Sequence, residues 1–224
     1  MKINNGVILL LILFWSASLQ AQDFAQFIRE MRKEYDQSKT MQIVMDIIVY
    51  DSAQSSVPYY KQTLEIKRAG NNYWYQTGNN EMLLNEKYLV IIDKEARLIN
   101  YSDRNVEAEN RLLQNFQFNL DSVLKNYPNQ KYMGKEGDAE HFLVKEKEGP
   151  IEEIHFFITP QDYILRKMEY KYRGGQHVSI RFIVFNKQPI FKAETFSESR
   201  YLVNVNNKII PSRFFKQFEI NYLR

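Results

Sequence analysis

MQIVMDIIVY (41–50), PYYKQTLEIKR (58–68), NYWYQT (72–77), EMLLN (81–85), KYLVIID (87–93) and ARLINY (96–101) follow one another between Met41 and Tyr101 with no helical pattern among them. Their apolar residues recur with a period of two, which is the repeat of a strand. Turn signals separate them at Asp51-Ser52, Gly70-Asn71-Asn72, Gly78-Asn79-Asn80 and Asp93-Lys94. Connections this short join antiparallel neighbours, since a parallel crossover needs about a dozen residues or more. Two of the expected strands are apolar on both parities. In 41–50, Ile43, Met45, Ile47 and Val49 point one way, and Val44 and Ile48 the other. In 177–186, Val178, Ile180, Phe182 and Val184 oppose Ile183 and Phe185. Neither face of such strands suits water, so one face is expected to be core and the other a second core or a lined cavity.

Working outward, Asp23 is a fair helix N-cap, and Phe24, Phe27, Ile28, Met31 and Tyr35 behind it recur at helical spacing, with Arg29, Glu30, Arg32 and Lys33 on the other face. Residues 102–117 lose the pattern. Leu120, Val123, Leu124 and Tyr127 then predict a short second helix over 119–127, stopped by Pro128. Strands are expected again at 139–147, 151–159, 163–173 and 177–186, with Gly174-Gly175 as a hairpin turn. The tail reads as an irregular piece at 189–198 and strands at 200–206 and 213–223. No repeat or linker divides the chain, and the reading is one mainly β (α+β) domain: a large antiparallel curved sheet whose short helices line or cap its concave face.

The N-terminus carries Lys2, an apolar run from Val7 to Trp15 and a small-residue exit ending at Ala21, the parts of a secretory signal peptide. Cleavage is expected after Ala21, leaving residues 22–224 as the mature domain, soluble in the periplasm; a signal anchor is the alternative. With 30 Lys+Arg against 27 Asp+Glu the chain is nearly neutral, which argues against a nucleic-acid partner. The absence of cysteine removes disulfides, thiolate metal sites, cysteine nucleophiles and the acylated cysteine of a lipoprotein. What stands out is 15 Tyr and 15 Phe against 8 Gly; that aromatic surplus needs buried surface to occupy.

Catalytic patterns are missing. His141, His155 and His177 lie in or beside strands, with no nucleophile elbow and no metal-ligand spacing. Glu152 and Glu153 are strand neighbours that point to opposite faces. No enzyme, cofactor or metal is therefore expected. The residue that departs from pattern is Arg68. Tyr60, Leu64 and Ile66 form the apolar parity of their strand, interrupted by Gln62, and continuing the alternation puts Arg68 on that same face. There it must reach water at a rim, pair with an acid or bond to carbonyls; otherwise the strand stops at Lys67 and Arg68 swings outward.

The helix Asp23–Tyr35, the strand end Ile66-Lys67-Arg68, the cluster Tyr73-Trp74-Tyr75 and the run Met82 to Asp93 resemble, in kind and order, the periplasmic lipoprotein carriers of the LolA type over roughly residues 23–186. The turn Asn85-Glu86-Lys87 lacks the glycine common there, and residues 187–224, with Pro189, Pro211 and a strand Phe214–Tyr222, differ from the family's short end. The resemblance implies an incomplete β-barrel around an apolar cavity, lidded by short helices, that binds lipoprotein acyl chains or another lipid without catalysis. Met45, Ile47, Leu64, Ile66, Trp74, Tyr75, Leu84, Val90 and Ile92 are the expected lining. Leu120, Val123 and Leu124 belong to the lid helix, and Arg68 is the gate. A monomer is expected. The alternative is an envelope protein-interaction or sensor module with the cavity filled by Phe116, Phe118 and the 119–127 helix.

Overall fold

Asp23 caps the first helix as expected: its side chain accepts a hydrogen bond from Ala25 N at 2.9 Å. The computed structural model describes residues 23–105, 129–146 and 148–223. Among the described residues, helix α1 (Phe24–Gln37) leads into fourteen strands. They are β1 (Thr40–Tyr50), β2 (Tyr60–Ala69), β3 (Asn72–Thr77), β4 (Asn80–Leu84), β5 (Tyr88–Asp93), β6 (Leu98–Asp103), β7 (Asn129–Glu136), β8 (Ala139–Lys145), β9 (Ile151–Ile158), β10 (Leu165–Tyr172), β11 (His177–Asn186), β12 (Leu202–Val205), β13 (Lys208–Pro211) and β14 (Glu219–Tyr222). Twelve form one curved, unclosed sheet in the order β14-β6-β5-β4-β3-β2-β1-β11-β10-β9-β8-β7, and β12 and β13 form a separate hairpin. The meander expected for 41–101 is therefore present, and β1 joins it to the second run of strands through β11. Phe116, Phe118 and the 119–127 helix with Leu120, Val123 and Leu124 lie outside the described residues.

Strand alternation gives the sheet an inner and an outer face, each buried over part of its extent. On the inner face, the Phe24, Phe27, Ile28 and Met31 stripe of α1 packs on Phe142, Val144, Ile154, Phe156, Ile158, Leu165 and Met168 from β8 to β10. The aromatic surplus is spent partly here: Phe24 lies 5.3 Å from Phe142 and 5.0 Å from Phe156, ring centre to ring centre. On the outer face of β4 to β6, Leu83, Val90, Ile92 and Ile99 are covered by Tyr201, Leu202 and Phe215 of the C-terminal segment.

That segment corrects the expected strands at 200–206 and 213–223. Asn206 and Asn207 both take positive φ, 51° and 62°, and make the two-residue turn of a tight hairpin between β12 and β13. Residues 212–218 turn back so that only Glu219–Tyr222 is a strand, which pairs parallel with β6 and departs from the all-antiparallel sheet expected. A second correction lies in β11. Val44 pairs with Val184 but Met45 pairs with Phe182, so Ile183 is an extra residue in a β-bulge. The bulge reverses the parity expected beyond Phe182. Val184 leaves the face of Ile180 and Phe182, and Phe185 returns to it beside Ile43, where its ring meets Tyr35 of α1 at 4.7 Å.

Phe156 is fully buried between α1 and the sheet. Phe156→Ala is expected to cost about 3–5 kcal/mol in denaturant unfolding, a loss comparable to other large core truncations.

Candidate functional site

The inner face continues past α1 onto β1 to β5. Cross-strand partners place Met45 beside Leu64, Ile43 beside Ile66, Ile66 beside Tyr75, Tyr75 beside Met82, and Met82 beside Ile91. Tyr73 pairs with Leu84, and Leu84 with Leu89, one step along the same face. Met82, Leu84 and Leu89 form a buried cluster with Tyr73, Tyr75 and Ile91. Met45, Ile47, Ile66 and Tyr75 are half-buried. The structure thus brings together six of the nine residues expected to line a site: Met45, Ile47, Leu64, Ile66, Tyr75 and Leu84. It places Trp74, Val90 and Ile92 on the opposite face, where Val90 and Ile92 belong to the core under the C-terminal segment. Trp74 and Tyr75 are sequence neighbours in one strand and cannot share a face.

Arg68 bonds to carbonyls, one of the alternatives its position left open. Its Nη2 donates to Tyr35 O at 2.8 Å and also to Ser38 O, both at the C-terminal end of α1. Helix ends leave carbonyls without partners and carry partial negative charge, so a guanidinium there is doubly favourable. The Ser38 hydroxyl donates to Glu34 O at 2.8 Å, and Lys187 Nζ lies 2.6 Å from the Glu34 carboxylate. The end of α1 is therefore tied to β2 by Arg68 and to the end of β11 by Lys187 and Phe185.

The outer face holds a polar cluster that sequence reasoning missed. Glu81, 1% exposed, accepts from the Tyr201 hydroxyl and lies 2.5 Å from Lys94 Nζ and 3.5 Å from Arg200 Nη2. The Tyr201 oxygen also accepts from Trp74 Nε1 at 3.0 Å. Lys67 Nζ stands 4.2 Å from the centre of the Trp74 ring. A buried carboxylate is tolerated only with such partners. The glycine-free turn at Asn85 is closed by its side chain, whose Oδ1 accepts from Lys87 N and Tyr88 N at 2.9 Å. Asn85 Nδ2 donates to Phe196 O and Glu198 Oε2, so the same residue fastens the C-terminal segment. An asparagine opening a turn is a readable signal for the hairpin; its grip on residues more than a hundred positions away is not.

Elsewhere, His141 Nε2 and His155 Nδ1 are 2.8 Å apart on the outer face of β8 and β9, with His141 stacked on Phe157. Burial and the neighbouring His155 charge lower the His141 pKa. Among the described residues no three His, Asp or Glu are grouped to hold a metal ion, and no helix is long and apolar enough to cross a membrane.

No family model matches the chain, and no curated protein matches it. Solved structures similar to it include a protein of the LolA superfamily. MucB in its complex with MucA, from Pseudomonas aeruginosa, aligns at 12% identity over 77% of this chain and 60% of that one, with a TM-score of 0.49; this chain spans less than two thirds of that relative. Lipoprotein LppX from Mycobacterium tuberculosis aligns at 9% identity over 75% of this chain and 96% of that one, with a TM-score of 0.43. A LolA superfamily protein from Nitrosomonas europaea aligns at 6% identity over 77% and 96%, with a TM-score of 0.33. At this distance the likeness concerns fold alone, and the architecture stands on the strand order itself.

Two outcomes are expected. Arg68→Met removes two charge-assisted bonds and should lower stability by roughly 2 kcal/mol while amide exchange rises around the C-terminal turn of α1; unchanged exchange there would contradict the tie. For Glu81, burial raises the pKa, but the bonds from Lys94 and Tyr201 and the Arg200 charge outweigh it and hold the carboxyl below its usual range. The resulting stability is complete above the unfolded value, about 4.3, and is lost as pH falls through the lowered folded value. The emission of Trp74, which lies against this cluster, should shift to the red on acidification below about pH 4. In Glu81→Gln that acid dependence should flatten.

Proposed function

We propose that this chain is a non-catalytic binding protein of the bacterial periplasm. It is exported by residues 1–21 and forms one domain over residues 22–224, which takes the acyl chains of a lipoprotein or another lipid against the inner face of its sheet. The observation that carries this reading is the split between the two faces. The outer face of β4 to β6 has its cover in the chain's own C-terminal segment. The inner face of β1 to β5 has half-buried Met45, Ile47, Ile66 and Tyr75 beside the buried cluster of Met82, Leu84 and Leu89. An acyl chain gains about 0.8 kcal/mol per buried methylene and asks of its site apolar area with few polar groups. Methionine and tyrosine suit such a lining, the first by adapting its shape and the second by offering area. Arg68, through its hold on the end of α1, is the proposed gate of that site.

The test is displacement of a fluorescent fatty acid, together with mass spectrometry of lipid that co-purifies with the exported chain. Ile66→Ser is expected to weaken probe binding about tenfold, whereas Ile183→Ser, on the exposed bulge, leaves it unchanged. No co-purifying lipid and no displacement at micromolar probe would sink the reading. A protein-interaction module is the second reading, favoured by exposed Phe214 in the C-terminal segment. It requires a protein partner whose binding is lost when Phe214 is replaced by Ser.

A further inference from the structure

The hairpin between β1 and β2 rises past its neighbours. Tyr50 pairs with His177, the first residue of β11, so residues 51–59 extend beyond that strand. On the other side, Leu64 pairs with Thr77, the last residue of β3, so Tyr60 to Thr63 lie past the end of that strand's pairing. These four residues stay paired with β1 on their other side, so the part that rises past both neighbouring strands is the connection 51–59. The tip is ordered by its own bonds: Tyr59 N donates to Val49 O at 2.8 Å, and the Ser55 hydroxyl donates to Val57 O at 2.8 Å. From Ser52 to Tyr60 it carries no charge, in a chain of which 25% is charged. Val57 and Tyr59 are each 73% exposed and Tyr60 44%.

Exposed apolar side chains grouped on a projection mark a contact surface. Their chemistry selects the partner. Tyrosine, with an apolar ring and a polar tip, is enriched at the boundary between acyl chains and headgroups, and an uncharged tip can enter that boundary without stripping water from an ion. The cations at its base are engaged within the protein: Lys61 Nζ lies 3.1 Å from Asp46, and Arg173 donates to Gly149 O and Glu146 O. Tyr60 also lies on the inner face, opposite Val49, and although Gln62 interrupts its own strand, Val49, Ile47 and Met45 of β1 carry apolar surface from the tip to the proposed lipid site.

We propose that the Val57-Pro58-Tyr59-Tyr60 tip inserts into the interface of a lipid bilayer, by apolar partition rather than by attraction to anionic headgroups. There it sets the apolar inner face against the membrane. The purpose assigned to the contact, access of acyl chains to the inner face, rests on the ligand-binding reading above; the contact itself does not.

The experiment is co-sedimentation of the exported chain, its leader removed as confirmed by intact mass, with phosphatidylcholine vesicles. Fatty-acid displacement is measured on the same samples. Binding to neutral vesicles is expected, little changed by 0.5 M NaCl. It should fall about tenfold in the Val57→Ser/Tyr59→Ser double variant and by a smaller factor in Tyr59→Ser, with circular dichroism and displacement as in wild type. The proposal is overturned if wild type does not sediment, if the double variant sediments equally well, if binding requires anionic lipid and is abolished by salt, or if the tip proves to bind a protein and no vesicle. Vesicle binding without displacement would leave the tip's role standing and remove the acyl-chain reading. Displacement without vesicle binding would do the reverse.

Discussion

Leu83 and Leu84 are consecutive residues of one strand, and both are removed from water. Consecutive strand residues point to opposite faces, so the sheet around β4 has to be covered twice. The described elements answer the outer half of that constraint at β4 and cover the inner face farther along the sheet. Over β8 to β10, α1 covers the inner face. Over β4 to β6, the outer face is covered by Tyr201, Leu202 and Phe215, which the chain delivers by continuing about forty residues past β11 before it ends as β14 at the edge of the sheet. Apolar residues on one parity alone would have left the C-terminal segment with nothing to bury.

The two covers are attached by different means. The outer one is fixed by a buried carboxylate with three cationic or hydroxyl partners and by Asn85, a residue that closes its own turn and grips Phe196 and Glu198. Such a network is costly to open, because a released Glu81 would be left buried and unpaired. The inner cover is held at its C-terminal end by Arg68, whose bonds go to backbone carbonyls and cross from one element to another. A guanidinium on carbonyls can exchange those partners for water with less penalty than a buried ion pair. The proposed site is assigned to the inner face because the outer face of β4 to β6 already has its cover in the C-terminal segment.

Most of the sheet was legible because its signals are local. The strands from β1 to β6 fall within about two residues of the segments read from alternation and turn residues, and Asp23 caps α1 where its side chain predicts. Parity was legible only as far as alternation persists. It revealed that 41–50 has two apolar faces, but it could not show the extra residue at Ile183 that returns Phe185 to the helix, because a bulge depends on the partner strand. The candidate lining was half a matter of parity as well. Tyr75 and Leu84 share a face, and Trp74, Val90 and Ile92 lie on the other, a division available from counting along each strand once the cross-strand register is known. The Glu81, Tyr201 and Trp74 cluster was out of reach, since it joins residues 120 positions apart through a segment whose strands are short and meet at a two-residue turn, Asn206-Asn207.

The division of the sheet into an inner face that receives an acyl chain and an outer face that is core is the claim on which the functional account stands. It is tested most directly by intermolecular nuclear Overhauser effects between a bound fatty acid and methyl-labelled protein. The account predicts contacts from the acyl chain to Met45, Ile47, Leu64, Ile66 and Leu84, with none to Val90 or Ile92. Contacts to Val90 and Ile92, or a saturating fatty acid that touches none of the inner-face methyls, would contradict it.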